Sequence, residues 1–337
     1  MPKNKTIPLV YIYSILAILI SYFGVVFAPF TILSALFVPV ILSAIIYGYG
    51  LSNGIYVGLG IIVFNVINTF IFADNLSIYG LIYSVFIVTS GLVIGFNHIK
   101  KTSFNSFLIS LGFYYTVCAM ILFAAIKYMF QVDVTAIVRF YFVETYNMFY
   151  EVIKLYNPNL LSTIGIHEYE LFNTLYCIMP GIVPFMAIML IVLTCFIQYA
   201  ICKLVINNYL IKKSSFADGF DKFKLTFISA IVFLISFLIN NSNINNMLCM
   251  VALNIFMIIS MLYIMEAAAI LYYKLKQSIT ARALRMLLFC VIVVFLFVIS
   301  AFFTIVNIFY VFIFIGLTDS IFDYRKLGEN NNENYEE

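Results

Sequence analysis

Residues 7–48 read IPLVYIYSILAILISYFGVVFAPFTILSALFVPVILSAIIYG, and no charged side chain interrupts them. About 20 apolar residues cross the hydrocarbon core of a bilayer as a helix, so this stretch holds two crossings. Pro29, in the corner Ala28–Thr31, separates them. Lys3 and Lys5, the apolar run and Val26-Phe27-Ala28 imitate a secretory signal. The run from Ile7 to Ala28 is nevertheless longer than the roughly 7–15 residues of a signal core, and another follows at once. We read it as an uncleaved first span.

The whole chain has the same character. Of 337 residues, 64% are apolar and 10% charged, with a mean hydropathy of +1.09. A soluble domain carries about 25% charged residues, so the solvent for most of this surface is lipid. No basic cluster with interleaved aromatics points to nucleic acid. Trp is absent, which leaves tyrosines such as Tyr47, Tyr49, Tyr272 and Tyr273 to form the interfacial belt. Cys118, Cys177, Cys195, Cys202, Cys249 and Cys290 lie in or beside apolar runs without a Cys-x-x-Cys pair, and read as small buried apolar residues.

Hydropathy places spans near 8–28, 31–48, 54–73, 79–97, 104–128, 181–203, 224–240 and 246–273, with a last apolar stretch over 286–318. The expected fold is an all-α polytopic bundle of 8–10 spans, forming one domain over 1–326 before an acidic, disordered tail at 327–337. With the N-terminus inside, the cytoplasmic segments hold 13 of the 18 basic residues, among them Lys100, Lys101, Lys212, Lys213, Lys274 and Arg282. Positive residues collect on the cytoplasmic side, so this alternation supports a multi-pass protein of the cell membrane with a cytoplasmic N-terminus. Residues 286–316 would measure about 46 Å as one helix, against a core of about 30 Å. Two short passes turning near Ser300–Asn307 fit better, because Arg325 and Lys326 then return to the inside. The segment 129–171 falls outside. Its Glu144, Asn147, Glu151 and Lys154 recur every three or four residues, the signature of an amphipathic helix in the interface or of a lid over an outward cavity.

Few residues could carry chemistry. Glu266 is the one acid deep inside a span, and intramembrane carboxylates commonly face the bundle interior and mark ion or substrate sites. It lies about two turns from Lys274, so a neutral structural role competes with a substrate, ion or proton role. Gly50, Gly54 and Gly58 recur every fourth residue, the spacing for close helix packing. Pro180 and Pro184 read as a helix start, with a broken helix as the alternative. His98 reads as part of a basic cytoplasmic turn, and the predicted topology puts His167 on the opposite side, so the two share no metal. There is no phosphate-binding Gly-rich loop, zinc-protease His-Glu pair or nucleophile elbow. We expect no catalytic residues, no cofactor and no enzyme activity.

Three stretches carry a resemblance: Ala35–Val40 leading into Tyr47-Gly48-Tyr49-Gly50-Leu51-Ser52-Asn53-Gly54; Phe216 through Leu225; and Gly316-Leu317-Thr318-Asp319-Ser320-Ile321-Phe322-Asp323-Tyr324-Arg325-Lys326. In their order and spacing the chain resembles the YybS-like family of bacterial polytopic membrane proteins, whose ending has the pattern Gly-Leu-x-Asp-x-x-x-Asp-aromatic-Arg. Glu266 stands where the family leads one to expect Gln. The resemblance implies no particular activity. It implies distant kinship with the substrate-binding membrane subunits of energy-coupling-factor transporters, which borrow an ATPase.

The function expected is a non-enzymatic substrate-binding or transport component for a small molecule. Its partners would be the lipid bilayer and an ATPase or other membrane protein. The alternative is a scaffold recruiting cell-envelope or sporulation proteins through the basic loops and tail. The topology is tested with single cysteines in a cysteine-free variant and an impermeant thiol reagent. Position 158 should label in intact cells and position 213 should not; the reverse pattern overturns the orientation.

Overall fold

Lipid offers the backbone no hydrogen-bond partner, so each apolar run must close its own helix. The computed structural model describes residues 7–72, 77–129, 131, 133–156, 168–209, 219–242, 246–281, 284–285, 287–292 and 308–325. Among these the regular structure is all helical: α1 (Ile7–Val26), α2 (Ala28–Tyr49), α3 (Leu51–Phe72), α4 (Ser77–Ile99), α5 (Phe104–Met129), α6 (Val134–Tyr156), α7 (Glu168–Tyr209), a 3-10 turn (Phe220–Lys222), α8 (Phe227–Asn240), α9 (Asn246–Ser278) and α10 (Ile308–Phe322). Only Phe27 separates α1 from α2, with Pro29 in the first turn of α2. Between α2 and α3 the break is Gly50 at φ 99°, a left-handed conformation that a side chain would strain.

Six helices among the described residues are long and apolar enough to cross a membrane, and the protein is an all-α polytopic bundle. α1, with 20 residues, also measures ~30 Å. α8 and α10 have 14 and 15 residues, about 21 and 22 Å, shorter than the core. α7 runs for 42 residues. Pro180 and Pro184 therefore lie inside a helix that starts at Glu168, not at a helix start as the sequence suggests. The turn expected at Ser300–Asn307, the tail from 327, the loop 210–218 and the stretch 157–167 with His167 lie outside the described residues. In α6, Glu144, Asn147 and Glu151 are exposed, and so are Phe140, Met148 and Leu155.

Where the sequence offers one domain over 1–326, the contacts fall into two compact units, Met1–Cys118 with Ile191–Lys222 and Ala119–Leu190 with Phe223–Glu337. In the first unit α2 is the central helix, packed against α1, α3 and α4. Its Leu42, Ile45 and Ile46 are buried with Ile61 and Ile87. Small residues let the backbones approach. A Cβ on Gly91 would meet Leu42 and the Pro39 backbone, and one on Gly95 would meet Ile46 at 2.6 Å. Gly54 also lies against Ile46, and Gly58 against Val88. Gly50 differs from these two: nothing lies within 4 Å of its Cβ position, and its place in the chain is the turn.

Polar side chains tie this unit together. Asn65 Nδ2 donates to Ser21 Oγ at 2.5 Å and Ser84 Oγ at 2.8 Å, joining α3 to α1 and α4. Tyr115 donates to Gln198 Oε1 at 2.8 Å, while Gln198 Nε2 donates to the Ala35 carbonyl at 3.1 Å. In the second unit α9 packs against α8 and α10. Phe233 stacks on Phe256 with centroids 5.0 Å apart and meets Tyr263 edge-on at 5.5 Å.

Two glycine substitutions separate packing from helix propensity. Gly95→Val should lower stability by about 1–3 kcal/mol through overpacking against Ile46. Gly60→Ala, with nothing within 4 Å of its Cβ position, should leave stability unchanged or slightly raised. Unfolding of both variants in mild detergent checks this contrast.

Candidate functional site

Glu266 is fully buried on α9, and its partners come from two distant parts of the chain. The last turn of α10 supplies Asp319, also buried, and the turn beyond it supplies Arg325. Arg325 Nε and Nη2 donate to the same oxygen, Asp319 Oδ2, at 3.0 and 2.7 Å. Nη2 also donates to the Phe223 carbonyl at 2.8 Å and lies 3.6 Å from Glu266 Oε1. Next to these, Lys224 Nζ lies 2.9 Å from Asp323 Oδ1, with about a quarter of each side chain exposed. One guanidinium thus holds together α9, the end of α10 and the chain leading into α8.

The local sequence explains why these groups meet. Gly316 allows α10 to touch the Tyr263 carbonyl on α9, where any Cβ would overlap it. Asp319 follows on the same face. Asp323, at φ 47°, ends the helix, and its N–H donates to the Asp319 carbonyl at 2.9 Å. That left-handed residue is a common way to stop a helix, and it turns Arg325 back toward Asp319. The Tyr263 hydroxyl lies 2.9 Å from Ser229 Oγ on α8. Glu266 Oε1 and Oε2 and Asp319 Oδ1 are buried without a hydrogen-bond partner. The Leu225 main chain and the Asp319 carboxyl face the Glu266 carboxyl.

A second polar device lies in the same unit. In a regular helix the Phe185 N–H and the Gly181 carbonyl would bond to each other. Here Asn254 of α9 serves both: its Oδ1 accepts from Phe185 N at 3.0 Å, and its Nδ2 donates to Gly181 O at 2.6 Å. Pro184 cannot donate to the turn before it, and Asn254 holds the backbone beside that gap. Sequence reading missed Asn254, since a lone Asn in an apolar helix carries no periodic signal.

The first unit contains an open groove of about 630 Å³. Leu51, Ile55, Leu92 and Phe96 form its apolar wall, and Asn97, Lys100 and Ser106 its polar end. The Lys100 ammonium lies 4.4 Å from the centre of the Phe96 ring. His98 does not belong to an exposed basic turn as the sequence suggests. It is fully buried, its ring 5.9 Å from that of Tyr47, because the last turn of α4 is still packed inside the bundle.

No protein-family model matches the chain, and no curated protein or solved structure matches it.

Removing one partner from a buried ion network strands the others. Arg325→Leu should therefore cost about 3–5 kcal/mol. Combining it with Asp319→Asn and Glu266→Gln should recover much of that loss. Asn254→Leu leaves a half-buried donor and acceptor without that partner and should cost about 1 kcal/mol. Unfolding midpoints of the purified variants measure all three effects.

Proposed function

We propose that the chain is a non-enzymatic substrate-binding or transport component for a small molecule, working in the cell membrane with its N-terminus in the cytoplasm. The observation that carries this reading is the buried network of Glu266, Asp319 and Arg325 among apolar helices. Ionisable groups in such places are expensive and commonly line ion or substrate routes. The groove at Lys100 has the volume of a small-molecule site, about 300–1,000 Å³, and its cationic end suits an anionic group. The YybS-like resemblance fits the same picture. Phe223 and Lys224, from one of its stretches, bond to Arg325 and Asp323, from another.

Energy would come from an ion gradient or an ATPase partner. Purification in mild detergent followed by mass spectrometry should recover a bound metabolite or a stoichiometric ATPase. Recovery of cell-wall or division proteins alone, with no retained small molecule, would favour a scaffold and overturn the transport reading.

A further inference from the structure

We propose that the groove at Lys100 binds one anionic phospholipid from the leaflet on that side, with its headgroup at Lys100 and an acyl chain along the apolar wall. This rests on the groove being a ligand site, as the transport reading takes it, but the lipid needs no transport to bind. Level, length and charge all favour a lipid over a soluble anion.

The apolar span of α4 ends at Ile99, just before Lys100, while those of α3 and α5 begin at Leu51 and Phe104. All three helix ends contribute to the groove, through Leu51, Lys100 and Ser106. It therefore sits where hydrocarbon gives way to headgroups. A tight turn joins α4 to α5: Lys101 has φ 50°, and the N–H groups of Lys101 and Thr102 donate to the His98 and Asn97 carbonyls at 3.1 and 3.2 Å. Asn97 then donates to Ser110 Oγ at 2.9 Å and accepts from Thr102 Oγ1 at 3.1 Å. These bonds fix the polar end of the groove beside Lys100.

From Lys100 along α4 to Leu92 is about 12 Å, against about 15 Å for half of the hydrocarbon core. The apolar wall thus runs most of one leaflet's depth, and its Leu51, Ile55 and Phe96 are exposed. A soluble anion would use the polar end and leave this wall unfilled; a lipid fills both. Charge selects the headgroup. The Lys100 ammonium stands over Phe96 at the polar end, with the exposed Lys101 next to it. In the sequence Asp74 is the one acid before Asp133, and it lies beyond the opposite end of α3 from Leu51. Asp221, the described acid of this unit, is buried in the Phe220–Lys222 turn. Basic pockets between membrane helices commonly hold anionic headgroups.

The test uses the purified full-length protein in mild detergent with added dioleoyl phosphatidylglycerol, dioleoyl phosphatidylcholine or glycerol phosphate. Native mass spectrometry reads the lipid retained, and melting temperature reads stabilisation. Wild type should retain one phosphatidylglycerol per chain in preference to phosphatidylcholine, and melt higher with it. Lys100→Glu should bind it about tenfold more weakly, and Ile55→Trp, which fills the wall, should also lose it. Lys127→Glu, the same charge change at the far end of α5, should not. Where Lys100→Glu fails to fold, Lys100→Gln carries the comparison. Equal retention of the two lipids, or equal loss in the Lys100 and Lys127 variants, would overturn the proposal. So would glycerol phosphate stabilising the protein as well as the lipid does, which would make the ligand a soluble anion. Selective lipid binding in a protein that retains no other solute and no ATPase would remove the transport reading and leave this one standing.

Discussion

A polar group that leaves water for hydrocarbon must find its partner inside the protein. In the second unit that demand converges on Arg325. Its guanidinium accounts for Asp319, the Phe223 carbonyl and, at longer range, Glu266. This fixes where the chain enters α8 and where it leaves α10. Stability alone is a poor explanation for such a cluster, because replacing a buried ion network with apolar residues of similar volume is often neutral or favourable.

The same demand explains the other buried polar contacts, and these do serve packing. Asn65 through its Nδ2 and Gln198 through both ends of its amide each bridge helices of the first unit. Such contacts are worth roughly 0.6–2 kcal/mol in membranes. They supplement the close approach at Gly91 and Gly95, which gives α2 and α4 their contact area. Asn254 works differently. It bonds to the backbone of a helix carrying two prolines, and so lets α7 continue through a sequence that would otherwise end it.

Hydropathy and charge made the helices legible. The expected 104–128 is Phe104–Met129, and 79–97 is Ser77–Ile99. Its place deep inside an apolar run also marked Glu266 as the acid needing an explanation. Its partners were not legible, because Asp319 and Arg325 lie far along the chain and look like an ordinary polar ending after the last apolar run. Pairing of this kind is tertiary, and no local period encodes it. Gly50 misled for a related reason: it shares the four-residue spacing of Gly54 and Gly58, but spacing does not distinguish a packed face from a turn. The proline pair misled because the group that rescues it, Asn254, sits on another helix.

The depth of the cluster follows from helix lengths. α9 becomes apolar at Met247, and ~20 residues at 1.5 Å each reach the far side of a 30 Å core near Glu266. α8 starts just after Lys224, and α10 ends just before Asp323. Glu266, Asp319 and Arg325 therefore lie where three helices leave the hydrocarbon, on the side of Lys274 and Lys276. A charge at the bilayer centre would face lipid in both directions. At this level the Lys224–Asp323 pair, about a quarter exposed, marks the side of the cluster that faces water. Short flanking helices are what bring water this close to a residue that is itself fully buried.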